Sequence, residues 1–148
     1  MFMKKKLFGM VSVIFLIGFM FNGCMSTPYV RGDSDLNGTW SISVAEGEMT
    51  HKYNNGLWEE ALNGLLTRRG HYTTNNGNIY LDIKEIHGRY PTLQKAGLAS
   101  RWYSVSELFY EYGATFENAT LTYSIEGDQL SLLSSLGSGS PTIWIRKN

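Results

Sequence analysis

The chain has 148 residues, with 13 Lys+Arg against 13 Asp+Glu and so no formal net charge. That balance argues against nucleic acid as a partner, because phosphate binding demands clustered basic charge. A single cysteine excludes an intramolecular disulfide framework, and the length fits one domain with a full hydrophobic core but hardly two.

First in chain order stand Lys4-Lys5-Lys6, followed by Leu7 to Phe21 without a single charge. A basic start and a short apolar run read as an export signal rather than as part of a fold. The run is shorter than the about 20 apolar residues of a transmembrane helix and ends in polar Asn22. An ordinary cleaved secretory signal and a lipidation signal both fit these features. Cys24, directly after Asn22-Gly23, resembles the processing site of bacterial lipoproteins. In that family the signal peptidase cuts just before the cysteine, and the new N-terminal thiol carries a diacylglycerol. The resemblance implies a signal peptide over 1–23, Cys24 as the lipid-attachment residue, and a bacterial cell-envelope protein held to a membrane through its N-terminal lipid. A lone exported cysteine, with no disulfide partner, accords with that role. Ser26, next to Met25, is not the aspartate that marks inner-membrane retention in the family, which favours the outer membrane.

Without residues 1–23 the chain keeps 10 basic and 13 acidic residues, a charge of −3, together with all four Trp and all nine Tyr. Amphipathic aromatics of this kind suit a wet or ligand-facing surface. Residues 24–37 carry Pro28, Gly32, Asp33 and Asp35 and no apolar period, so they read as a flexible tether.

From residue 38 the dominant period is two. Trp40, Ile42 and Val44 alternate with Ser41, Ser43 and Ala45, as in a strand with one buried face. Asn55-Gly56 is the strongest hairpin signal, since both residues take the positive φ of a type I′ turn at little cost. Further turns are expected at Asn75 to Asn78 and at Glu126-Gly127-Asp128, and a last strand at Thr142 to Arg146. Residues 87–104, with Gly88, Pro91 and Gly97, read as an excursion from the sheet. Ser104-Val105-Ser106-Glu107 is a capping box that predicts a short helix over 105–112. Closely spaced turns between alternating strands predict an all-β, antiparallel up-and-down meander over 38–148.

Gly38-Thr39-Trp40 at the head of the first strand, with Arg146 in the last, resembles the lipocalin superfamily and its bacterial lipocalin-like domains. The resemblance implies a closed β-barrel in which Trp40 and Arg146 form a structural pair, the guanidinium packed across the ring by a cation–π contact.

Catalytic chemistry has little to stand on. His51, His71 and His87 lack the spacing of a metal site, and Glu59-Glu60 beside a turn reads as a solvated face. No serine lies in a nucleophile motif, so no catalytic residue, metal or other cofactor is expected, and the chain reads as a binding protein rather than an enzyme. A barrel of this size either holds one small ligand or is filled by side chains. In the first case Tyr53, Trp58, Tyr72, Tyr123 and Trp144 are the candidate ligand-binding residues for a small apolar or amphipathic molecule. In the second, the domain is a lipid-tethered module that binds another envelope protein, with Trp102 and Tyr103 as anchors.

Overall fold

A computed structural model describes residues 33–134 and 139–148. The expected signal peptide, Cys24 and most of the tether lie outside the described residues. After a 3-10 turn over Ser34–Leu36, the strands are β1 (Gly38–Val44), β2 (Gly47–Asn54), β3 (Leu57–Leu62), β4 (Leu65–Asn75) and β5 (Asn78–His87). An excursion then carries α1 (Pro91–Lys95), β6 (Trp102–Ser104) and α2 (Val105–Tyr112). The chain returns through β7 (Ala119–Glu126), β8 (Gln129–Ser134) and β9 (Thr142–Lys147). All pairings are antiparallel and sequential from β1 to β5. β5 then pairs with β7, β7 with β8, β8 with β9, and β9 with β1. The result is a closed eight-strand, up-and-down barrel, compatible with a lipocalin-like fold, with short β6 lying against the Glu85–His87 end of β5.

The hairpins follow from local chemistry. Asn55-Gly56 and Asn76-Gly77 both have positive φ at both residues, as type I′ turns require. Asn63-Gly64 does the same between β3 and β4, a further hairpin beyond the turns that the sequence predicts. The side chain of Asn63 explains why that turn is firm. Its Oδ1 accepts from the Glu48 N–H at 3.0 Å and its Nδ2 donates to the Glu46 carbonyl at 3.0 Å, tying two adjacent loops together. At Gly70, where the β4–β5 register shifts, a Cβ would stand 2.1 Å from the Asp82 carbonyl oxygen. The bulge therefore needs a residue without a side chain.

The strand alternation delivers one face of each strand to a single core. Trp40, Tyr53, Trp58, Tyr72, Ile79, Leu81, Ile83, Leu130, Leu132 and Trp144 are all buried in it. The capped helix forms as the sequence suggests: Ser104 Oγ accepts from the Glu107 N–H at 3.1 Å, and Gly113 ends α2 in the left-handed conformation. Leu108 is its buried residue, and α2 packs on β5 and β6. Where β7 diverges from β5, the Asn118 side chain takes over the sheet's role and accepts from the Ile83 N–H at 3.1 Å.

Candidate functional site

The barrel has two unlike ends. At one, the β2–β3, β4–β5 and β7–β8 turns gather around the incoming chain. Asp33 N–H donates to Thr74 Oγ1 at 2.8 Å, and Tyr123 donates its hydroxyl to Asp33 Oδ2 at 2.7 Å. Trp40 is fully buried there and its indole N–H donates to the Leu36 carbonyl at 2.8 Å. The Arg146 guanidinium carbon lies 4.1 Å from the centre of the Trp40 ring. The same guanidinium donates to the carbonyls of Asn37 at 2.8 Å and Asp35 at 2.9 Å. One arginine thus pins the 3-10 turn across the barrel floor. Gly38 makes room for it, since a Cβ there would approach Arg146 Nη1 to 2.9 Å.

The candidate ligand-binding aromatics divide. Tyr53, Trp58, Tyr72 and Trp144 are each 5 % exposed or less, and they fill the interior against one another. Tyr53 meets Tyr72 edge-on with centroids 5.0 Å apart, and Tyr72 also reaches the floor by donating its hydroxyl to Asn37 Oδ1 at 3.0 Å. Trp144 stacks on His51 at 4.2 Å, and Trp58 meets the same imidazole edge-on at 5.4 Å. Tyr123 is only half-buried and is engaged by Asp33. Its phenol is pushed up to about 12, first by partial burial and then by the hydrogen bond to Asp33. Trp58 Nε1 is the one buried side-chain polar atom, among the described residues, without a hydrogen bond of ordinary geometry, although it lies within electrostatic reach of the Tyr53 oxygen.

Above this aromatic layer, His51, Thr67 and Arg68 converge on Glu60. Its position beside a turn predicts a solvated face for Glu60, but the residue is 1 % exposed. Trp58 points inward, so a period of two sends Glu60 inward as well, and that alternation was the available signal. Its partner Arg68 stands opposite in the β3–β4 register. Arg68 Nε donates to Glu60 Oε1 at 2.8 Å, and Arg68 Nη2 donates to Oε2. Thr67 Oγ1 donates to Oε1 at 3.1 Å, and His51 Nε2 lies 3.2 Å from Oε2. Burial pushes the Glu60 carboxyl up, but the hydrogen bonds from His51 and Arg68 outweigh it and hold the group at about 2. With Glu60 ionised, His51 Nε2–H donates to it and Nδ1 accepts from the Tyr53 hydroxyl at 3.3 Å. Burial draws the His51 pKa down, so the ring is neutral, and burial also raises the Tyr53 phenol. Arg68 closes the group from above, 5.5 Å from the Trp58 ring centre and 5.0 Å from that of Tyr90.

Two small hollows approach this group. One of about 170 Å³ is lined by Glu46, Met49, Glu60, Leu62, Thr67 and the Tyr90 to Thr92 segment. Another of about 220 Å³ touches His51, Leu121, Leu132, Thr142 and Trp144. Both are smaller than the roughly 300–1,000 Å³ typical of drug-sized ligand sites. Each polar atom of Glu60 and both nitrogens of His51 already have partners within the protein. The arrangement therefore orders the interior rather than offering a free acid, base or nucleophile. Among the described residues no three His, Cys, Asp or Glu side chains converge as metal ligands.

The expected surface anchors also shift. Tyr103 is 2 % exposed and belongs to the core, and Trp102 is half-buried beneath Arg69, whose guanidinium carbon is 4.4 Å from the ring centre. Among the described residues the exposed aromatics are instead Tyr80 on the barrel and Phe109, Tyr110 and Tyr112 grouped on α2, with Tyr110 82 % exposed. Compared with known proteins, the chain matches no protein family, no curated protein and no solved structure.

Proposed function

We propose that this chain is a lipid-tethered module of the bacterial cell envelope whose barrel is a filled scaffold, acting through its outer surface on another envelope protein. One observation carries the reading: Tyr53, Trp58 and Trp144 pack around His51 and Tyr72 meets Tyr53 edge-on, leaving all four aromatics 5 % exposed or less. A barrel packed in this way has spent its interior on stability, and its contacts with partners fall to exposed anchors. The outer face of α2 supplies such anchors in Phe109, Tyr110 and Tyr112. Attachment through Cys24 rests on the sequence alone. Because the described chain enters at the Trp40 end, a lipid at Cys24 would turn that end toward the membrane and leave the opposite end free.

The hollow bounded by Met49, Glu60, Leu62 and Tyr90 favours a second reading, in which the barrel mouth holds a small amphipathic ligand. Two measurements on the same protein separate them. Under the scaffold reading, an apolar fluorescent probe shows no saturable site. A photo-crosslinking residue at position 110 gives a discrete adduct in native membranes, and the same residue at the exposed barrel position Tyr80 gives none. Stoichiometric probe binding, lost when Met49 is replaced by Trp, would establish the ligand-binding reading instead.

A further inference from the structure

Four Asn-Gly pairs occur in the described chain, at Asn37-Gly38, Asn55-Gly56, Asn63-Gly64 and Asn76-Gly77. Asparagine is chemically labile, and glycine after it leaves the following amide nitrogen sterically open to attack. The four differ in what holds the side-chain amide. Asn37 Oδ1 accepts from the Asn55 N–H and from the Tyr72 hydroxyl, each at 3.0 Å, in the crowded floor beneath Arg146. Asn55 Nδ2 donates to Asn54 Oδ1 at 3.3 Å, and the glycine that follows it is buried. Asn63 is clamped at both ends by the Glu48 N–H and the Glu46 carbonyl. Asn76 and Gly77 are both exposed at the tip of the β4–β5 hairpin. Among the described residues, the polar group of Asn76 that is engaged is its backbone carbonyl, accepting from Asn78 Nδ2 at 3.4 Å.

We infer that Asn76 is a spontaneous modification site, converted to aspartate and isoaspartate ahead of the other three. The Gly77 amide nitrogen attacks Asn76 Cγ and forms the N–Cγ bond. The Cγ–Nδ2 bond breaks, and Nδ2 leaves as ammonia with the proton from the Gly77 N–H. Water then opens the cyclic imide. Addition at Cγ restores the ordinary chain as aspartate, whereas addition at the Asn76 backbone carbonyl routes the chain through Cγ as isoaspartate. Among the described residues no side-chain hydrogen bond has to break first at Asn76, whereas two have to break at Asn63. Either product places a carboxylate on the hairpin whose Thr74 holds Asp33 and whose Gly77 carbonyl accepts from the Tyr123 N–H at 2.9 Å. The modification therefore adds negative charge at the end of the barrel where the N-terminal segment enters.

The test is peptide mapping of the folded protein during incubation at mildly alkaline pH, with a parallel sample held unfolded in urea. The expected result is amide loss at Asn76 several-fold faster than at Asn37, Asn55 or Asn63 in the folded sample, with the four rates converging in urea. Equal folded rates, or Asn55 or Asn63 leading, would overturn the assignment. An order that persists unchanged in urea would also overturn it, since the structure would then not be selecting the site.

Discussion

Glu60 and Arg68 face each other across the β3–β4 pair and place a two-bond ion pair inside the barrel. The partners are unequally shielded, with side-chain exposures of 2 % for Glu60 and 23 % for Arg68. Removing one member of a buried pair is strongly destabilising because it strands the other, at about 3–5 kcal/mol. Arg68→Met leaves the more deeply buried charge and is expected to reach that range. Glu60→Gln leaves Arg68 with some access to water and is expected to cost less. Replacing both with apolar residues of similar size should cost less than either stranded charge. Urea unfolding of the three variants checks the order, and a double variant as unstable as Arg68→Met would contradict it.

The same group gives a pH dependence with two limbs. His51 has a folded pKa below its ordinary value of 6.5, so the unfolded chain takes up its proton first on acidification. Stability is full above about pH 6.5 and begins to fall below it. Glu60, held at about 2 against an ordinary 4.5, contributes stability that is present above pH 4.5 and lost as pH falls toward 2. Thermal melts from pH 8 to pH 2 should therefore show a first decline below 6.5, removed by His51→Gln. A second decline below 4.5 should be removed by Glu60→Gln. Loss of neither limb in its own variant would mean that other groups govern acid stability.

The contact of Arg146 with Trp40 should appear as coupling. Trp40→Ala deletes a fully buried indole and its hydrogen bond to Leu36, at an expected cost of about 3–5 kcal/mol. Arg146→Ala should cost less, because its side chain is 26 % exposed. The double variant should lose less than the two together. Strict additivity in denaturant titrations would show that the guanidinium holds the 3-10 turn without drawing on the ring.

The proposed membrane attachment rests on Cys24 alone. Cys24→Ala is expected to release the protein to the soluble fraction or leave it unprocessed. Fractionation and the mass of the mature N-terminus decide the matter, and normal processing with unchanged membrane association would remove the lipid anchor.

Much of this fold was legible from order alone. The period of two from Trp40 onward, the Asn-Gly turns and the capping box at Ser104 are local properties, each set by steric limits acting over a few residues. They specify the all-β meander and the short helix without reference to any long-range contact. The expected export signal around Cys24 is likewise a reading of a linear pattern, and it lies outside the described residues. The interior was not legible in this way. Whether Tyr53, Trp58, Tyr72 and Trp144 line a chamber or fill it depends on which rings meet across a closed barrel, and strand closure brings together residues as distant as His51 and Trp144. Glu60 shows the limit most clearly. Alternation could point it inward, but its role as a buried anion depended on Arg68, Thr67 and His51 arriving within hydrogen-bond reach. Desolvation and its compensation are properties of that assembled neighbourhood, and only the tertiary structure decides them.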